Sequence, residues 1–212
     1  MKKQTGFDKV LQFKITLNDS SPRIWRRILV PASYTFFDLH CAIQNAMGWI
    51  DSHLHGFRFV NKKNNYRTIN IGFPLPDDDV EYMDRLIDER TAKIADYFSK
   101  ISKQCVYEYD FGDGWEHAII FERVLPRDSK LIYPQCVAGE NACPPEDCGG
   151  VWGYEDLQKI LKNPRRKEHK DMLDWLGLDD PKDFDSHEFD PKEIYFENPK
   201  KRLAAWSKGF RM

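Results

Sequence analysis

The chain has 212 residues, of which 41% are hydrophobic, and it includes six Trp and fourteen Phe. This content supports a substantial core in one large domain or two small ones, and it excludes a chain that is disordered throughout. The formal net charge of −2 gives no reason, by itself, to expect a nucleic-acid or membrane partner.

The N-terminus and the cysteine content bear on location. The first residues contain no apolar segment of the kind found in signal peptides, and no run reaches the roughly 18 apolar residues of a membrane span. We therefore expect a cytoplasmic protein with no membrane partner. In that compartment the five cysteines favour free thiols or a metal site over a disulfide framework.

Two strands begin the chain. Residues 10–17 alternate apolar and polar, and residues 24–30 form a second strand, so the pair is predicted to be an antiparallel hairpin. Arg23, Arg26 and Arg27 give this hairpin a basic face. That face is either a solvated or salt-bridged strand surface or a patch that contacts phosphates.

A helix and a further strand follow. Thr35 is a good N-cap and Gly48 a good stop for a helix whose apolar residues repeat at helical spacing. A strand is predicted from His53 to Val60, which would place the imidazoles of His53 and His55 on one face, where they could bind one metal. Strand histidines without a metal are the alternative. An acidic, irregular loop is expected from residue 72 to about residue 90.

The stretch from Tyr107 to His117 is predicted to be a hairpin tip. Strand-forming residues flank it on both sides, and Asp113-Gly114 is a strong turn dipeptide. The tip presents three carboxylates and one histidine, namely Asp110, Asp113, Glu116 and His117. This group is either an ordinary acidic tip or a cluster that binds a metal or moves protons.

The loop from residue 133 to residue 150 contains two adjacent prolines and two adjacent glycines, so no regular structure is predicted there. Cys136, Cys143 and Cys148 lie in it at spacings of seven and five residues. With one histidine they could form a closed zinc site, and packed thiols are the alternative. Glu146 and Asp147 add two carboxylates.

Helical segments are predicted at residues 154–161 and at about 165–176, with Gly177 ending the second. Residues 194–196 are predicted to be a short edge strand or a docking segment. The residues from 198 onward form a basic tail with a helical patch at 203–206.

Four motifs, in order, resemble the plasmid pRiA4b ORF-3-like family, also labelled TnpR-like passenger proteins of insertion elements. They are Pro22-x-Ile24-Trp25-Arg26-Arg27, Gly48-Trp49-x-Asp51-x-His53-Leu54-His55, Tyr109-Asp110-Phe111-Gly112-Asp113-x-Trp115-Glu116-His117, and Cys143-Pro144-Pro145-Glu146-Asp147-x-Gly149-Gly150-x-Trp152-Gly153-Tyr154. The resemblance covers roughly residues 8–197. It implies a single α+β domain over residues 1–197, with a mixed, largely antiparallel sheet packed by a few helices and followed by the tail at 198–212.

Three functional hypotheses follow. The first is an accessory binding protein of a mobile element, in which a groove holds nucleic acid or a protein partner. Its binding residues would be Arg23, Arg26, Arg27, Asp110, Asp113 and Trp115. Phosphate contacts would make such binding strongly dependent on salt.

The second hypothesis is a metal-dependent hydrolase, with zinc as the candidate ion. His53, His55 and His117 would bind the metal, or the three loop cysteines would hold a structural ion instead. The catalytic candidates are Glu116, His117, Glu146 and Asp147. In the third hypothesis the motifs determine packing and turns only.

Overall fold

The computed structural model describes residues 8–61, 67–74, 86–98 and 100–209. Within these ranges eight strands form one sheet: β1 Lys9–Leu17, β2 Trp25–Pro31, β3 His55–Asn61, β4 Arg67–Gly72, β5 Leu86–Asp88, β6 Gln104–Tyr109, β7 Trp115–Pro126 and β8 Gln135–Glu140. The helices are α1 Phe36–Met47, α2 Ile94–Tyr97, α3 Gly150–Leu161, α4 His169–Leu176 and α5 Pro199–Gly209.

The sheet is mixed and largely antiparallel. Its strand order is β5-β4-β3-β6-β7-β1-β2-β8, and only the edge pair β4–β5 is parallel. The predicted hairpins β1–β2 and β6–β7 are both present. The α+β prediction is therefore confirmed.

Helix α1 begins and ends where the sequence predicts. The Thr35 hydroxyl accepts a hydrogen bond from the Asp38 amide, and the Asp38 carboxylate accepts one from the Thr35 amide, which satisfies two amides at the helix start. Gly48 ends the helix at φ 88°, in the left-handed region that favours glycine. The helix packs against the sheet through side chains such as Phe36 and Ile43, which are both fully buried.

Three local predictions were wrong. Residues 135–140 are not irregular but form β8, which pairs with β2; the two adjacent prolines and the two adjacent glycines that break regular structure come after residue 140. The acidic loop contains the short strand β5, and residues 75–85 of that loop lie outside the described residues. Residues 194–196 do not pair in the sheet, so the edge-strand alternative was wrong; Phe196 packs against the core instead, which is compatible with the docking-segment alternative.

Residues Pro199–Gly209 form a helix that lies against the domain. The helical patch predicted at 203–206 falls within α5, whose Trp206 ring packs against Phe37 at 6.3 Å. Whether the tail is a unit separate from residues 1–197 stays a prediction. In the described part of the chain, no helix has the length and apolar character needed to cross a membrane.

Candidate functional site

Three motif segments meet at one end of the sheet: the link after α1, the β6–β7 hairpin tip, and the loop at 143–150. The Trp49 indole donates a hydrogen bond to the Pro144 carbonyl (2.9 Å) and its ring stacks on Tyr109 with centroids 4.9 Å apart. The Ser52 amide donates to the Tyr109 hydroxyl (2.9 Å). The loop therefore lies over the hairpin tip, as the hydrolase hypothesis requires.

An imidazole and two carboxylates converge where these segments meet. His53 Nε2 lies 3.0 Å from Asp147 Oδ1 and 3.7 Å from Asp110 Oδ2. One ligand atom from each residue lies within 4.8 Å of the other two. The side chains of His53 and Asp147 are 29% and 67% exposed, so solvent reaches this group. We call His53, Asp110 and Asp147 the open cluster.

The backbone holds both carboxylates of the open cluster in an unusual conformation. Asp110 and Asp147 have φ of 55° and 60°, a region that few residues other than glycine occupy. Asp110 Oδ1 accepts hydrogen bonds from the Gly112 and Asp113 amides at 3.0 and 3.3 Å. Such conformations cost free energy and are concentrated at functional sites.

Glu146 is held next to the open cluster. Its carboxylate accepts a hydrogen bond from the Tyr109 hydroxyl and a longer one, at 3.3 Å, from the Ile50 amide. Burial, and then the neighbouring Glu146 carboxylate, raises the pKa of Tyr109 well above its usual value. The phenol therefore stays protonated and remains a donor to Glu146.

Asp113 and Trp115, predicted as binding residues, have packing contacts. Asp113 Oδ2 accepts a hydrogen bond from the Gly149 amide (3.1 Å), so it ties the hairpin tip to the start of α3. Trp115 is 1% exposed and lies 5.9 Å from the Trp49 ring. Both shape the tip, and neither belongs to the open cluster.

A second group of ionisable side chains lies in the core. His40, Asp51 and His55 each bring one ligand atom within 4.8 Å of the others, and Glu89 hydrogen-bonds to His55 (2.8 Å). All four side chains are at most 2% exposed. We call His40, Asp51, His55 and Glu89 the closed cluster.

The predicted set of His53, His55 and His117 does not form one site. Strand β3 begins only at His55, so His53 is outside the strand alternation and the two imidazoles belong to different clusters. His117 is in neither cluster. It lies in the core, where its Nδ1–H donates to the Trp115 carbonyl (3.1 Å) and its ring meets the Trp49 ring edge to face.

The cysteine alternative is not assembled either. Among the described residues, no group of three mutually close ligand atoms includes Cys136, Cys143 or Cys148, and all three are free. Burial raises the pKa of Cys143 and of Cys148 to about 12. Without a metal ion these groups therefore remain thiols at neutral pH.

The prediction of a basic face was wrong for Arg26. Arg26 is 2% exposed and donates to the carbonyls of Ala46 and Glu140, each at 2.9 Å. Arg26 and Arg27 point to opposite sides because they are consecutive on a strand.

The other charged candidates lie on exposed surfaces. Arg27 forms a two-fold hydrogen bond to Glu122 at 2.8 and 2.9 Å, and Arg23 is exposed. Glu116 pairs with Arg58 at 2.8 Å, with both side chains partly in solvent, and is not in the open cluster.

Sequence reasoning missed His40, Asp51 and Glu89. Residue 51 lies in a predicted motif, and its φ of 66° matches the conformation of the two aspartates in the open cluster. His40 lies within α1, where the helical spacing of the apolar residues gives no signal for a site. Glu89 follows β5, and no local pattern links it to the others, because only the tertiary fold brings them together.

Comparison with known proteins places the chain in a family. The sequence profile of the plasmid pRiA4b ORF-3-like proteins matches residues 9–193. The chain belongs to this family. The resemblance inferred from the four motifs is thus confirmed over nearly all of the domain.

Two relatives are similar to this chain over most of their length. The uncharacterized protein y4hQ of Sinorhizobium fredii is 37% identical over 172 residues, covering 81% of this chain and 82% of that protein. The crystal structure of the protein of unknown function MM3350 from Methanosarcina mazei Go1 is 44% identical. It superposes with a TM-score of 0.78 over 90% of this chain and 99% of that one.

Proposed function

We propose that this chain is a metal-dependent hydrolase whose divalent ion binds the open cluster of His53, Asp110 and Asp147. One observation carries the proposal. His53 Nε2 is inaccessible to solvent and has no hydrogen-bond partner, yet it faces the Asp147 carboxylate at 3.0 Å. A metal ion between these groups would use the unpartnered nitrogen and offset the repulsion between two neighbouring carboxylates.

The donor set suits a catalytic ion. One imidazole and two carboxylates match the ligands of Zn²⁺ and Mn²⁺ in proteins. Three protein ligands leave at least one position for water or substrate, and the exposure of Asp147 keeps that position accessible. A bound divalent ion lowers the pKa of its water and so supplies hydroxide near neutral pH.

Glu146 is the proposed general base. It directly precedes Asp147, and both of its oxygens accept hydrogen bonds from fixed donors, the Tyr109 hydroxyl and the Ile50 amide. These two contacts fix the orientation of the carboxylate beside the open cluster. Tyr109 acts through Glu146 and is a positioning residue.

A protein partner is the second candidate function. Large apolar side chains that are mostly in solvent lie on the link after α1, on the hairpin tip and in the first turn of α3: Ile50 at 78%, Phe111 at 53% and Trp152 at 81% exposure. Exposed aromatic and aliphatic side chains of this kind are typical of binding surfaces. They support either an accessory protein of a mobile element or a substrate with an apolar group. A nucleic-acid partner is less well supported, since Arg26 is buried.

The decisive experiment compares Asp147→Asn with the wild type. Asparagine tolerates the φ of 60° at this position, so the substitution removes charge and leaves the backbone conformation. The untagged protein is stripped with a chelator and reloaded with Zn²⁺ or Mn²⁺. Bound metal is then counted by elemental analysis, and hydrolysis is assayed on p-nitrophenyl acetate, p-nitrophenyl phosphate and bis(p-nitrophenyl) phosphate.

We expect metal-dependent turnover of at least one of these substrates by the wild type, lowered at least about 100-fold by Asp147→Asn. Asp171→Asn, on the exposed surface of α4, is the matched control and should keep full activity. Equal turnover by wild type and Asp147→Asn would refute the hydrolase. If no test substrate is turned over and retention of a partner depends on Ile50 and Trp152, the binding function is favoured instead.

A further inference from the structure

The closed cluster places four ionisable side chains in the core, and the proposed function uses none of them. His40 Nε2 lies 2.8 Å from Asp51 Oδ1, and His55 Nε2 lies 2.8 Å from Glu89 Oε2. The two imidazole rings are parallel, with centroids 3.4 Å apart. Buried charges are rare unless they are paired or bind a metal.

Within the described residues, the cations near the closed cluster also pair with other carboxylates. Arg202 of α5 has its Nη1 3.5 Å from Asp51 Oδ2, but its Nε also pairs with Glu197 at 3.2 Å. Arg90 interacts electrostatically with Glu89, but its guanidinium pairs with Asp88 at 2.6 Å. Asp51 and Glu89 therefore share their cations with other carboxylates.

Several buried atoms of the closed cluster also have no hydrogen-bond partner. They are Asp51 Oδ2, Glu89 Oε1 and His55 Nδ1. Buried polar atoms in native proteins are almost always hydrogen-bonded. The free Nδ1 is informative, because an imidazole that donates its other N–H to a carboxylate is the usual form of a metal-binding histidine. Glu89 would play this carboxylate role for His55.

The surroundings of His40 allow the same role. Tyr107 Oη lies 2.8 Å from His40 Nδ1 and accepts from Gln44 Nε2 at 3.0 Å, which leaves Gln44 Oε1 buried without a partner. If the Gln44 side-chain amide is rotated so that its Oε1 faces Tyr107, the Tyr107 hydroxyl donates to Gln44 Oε1. The same hydroxyl then accepts a hydrogen bond from the Nδ1–H of a neutral His40. His40 Nε2 then carries the lone pair that a metal requires.

We propose that the closed cluster is a second metal site, with His40, Asp51 and His55 as ligands to a transition-metal ion such as Zn²⁺. Ligand atoms about 2.0–2.1 Å from a tetrahedral ion are about 3.3 Å apart, and the three side chains already bring such atoms within 4.8 Å of one another. Binding tilts the imidazoles from parallel, because each lone pair lies in its ring plane. Glu89 is a positioning residue.

A cavity and a helix border the closed cluster. His55 lies in the wall of a cavity of about 170 Å³ that Phe73 and Trp206 also line. The Trp206 ring lies 6.4 Å from His40 and 6.2 Å from His55. Arg202 and Trp206 are one helical turn apart on α5, so this helix covers the closed cluster. The site shares no ligand with the open cluster.

Co²⁺ tests the closed cluster separately from the proposed hydrolase. Untagged Asp147→Asn protein, in which the open cluster lacks one carboxylate, is stripped and titrated with Co²⁺ while the visible absorption is recorded. We expect one equivalent to bind with the intense bands of four-coordinate cobalt. Adding Asp51→Asn should abolish these bands; asparagine tolerates the φ of 66° there. Adding Glu89→Gln should keep the bands and weaken the affinity about 10- to 100-fold.

The outcomes separate the two proposals. No Co²⁺ bound by Asp147→Asn protein would overturn the closed site and leave the hydrolase intact. Cobalt bands that survive Asp51→Asn would also overturn it. One equivalent that is lost with Asp51→Asn would establish the closed site even if no hydrolysis is ever observed. Far-ultraviolet circular dichroism checks that each variant folds. If Asp51→Asn does not fold, the Glu89→Gln variant decides: a Co²⁺ affinity equal to that of the parent protein would refute the proposal.

Discussion

The buried imidazole of His117 should make the protein sensitive to mild acid. Burial lowers the pKa of His117 from 6.5 to about 4, and contacts with the Tyr107 and Trp115 backbone oppose this shift to a smaller extent. Between about pH 6.5 and about pH 4, the unfolded chain binds a proton at this site and the folded chain does not. Stability is therefore lost as the pH falls through this window, by about 3 kcal/mol in total from His117.

His117→Gln removes the titration and keeps an amide that can donate to the Trp115 carbonyl. Urea unfolding, followed by tryptophan fluorescence at about pH 7.5 and about pH 4.5, gives the free energy of unfolding. The variant should lose about 2–3 kcal/mol less than the wild type between these two pH values. His187→Gln, at an exposed histidine, is the control and should follow the wild type. Equal acid losses in the wild type and His117→Gln would refute the reasoning.

Three further predictions concern packing and the open cluster. Gly150→Ala should destabilise the protein by at least about 2 kcal/mol, because Gly150 has a φ of +68° and the added Cβ would lie 2.4 Å from a carbonyl oxygen of the hairpin tip. Gly177→Ala, which has the same φ but open space around the added Cβ, should cost about 1 kcal/mol, and equal shifts of the melting temperature in the two variants would contradict this reasoning. In urea titrations, Arg26→Ala should lower the free energy of unfolding by about 3 kcal/mol because it leaves buried carbonyls unpaired, whereas Arg23→Ala should lower it by less than about 0.5 kcal/mol. A small loss in both variants would argue against a structural role for Arg26. Tyr109→Phe should lower metal-dependent hydrolysis about 10-fold with unchanged metal content; lost metal would assign Tyr109 to binding.

Local sequence signals predicted the elements that depend on nearby residues. Thr35 and Gly48 bound α1 because capping and left-handed φ are local properties. The two hairpins follow from alternating strands around short turns. Strand β8 was missed because its partner is β2, more than 100 residues earlier in the chain, and its own residues include Gly139, which weakens any strand signal.

The candidate site was predicted as residue types but not as groups. His53, Asp110 and Asp147 were each candidates, yet their grouping depends on a loop folding over a hairpin tip. His53 and His55 were assigned to one face because the strand was extended two residues too far. Contacts between distant segments decide which side chains meet, and no spacing within one segment encodes them.

The position of β1 in the sheet affects how the protein folds during synthesis. Strand β1 pairs with β2 on one side and with β7 on the other, where Lys9 is opposite Pro126. The first hairpin to leave the ribosome therefore keeps both outer edges unpaired until β7 and then β8 have been made, when more than half of the chain has been synthesised. Apolar strand edges exposed for that time are sites for aggregation.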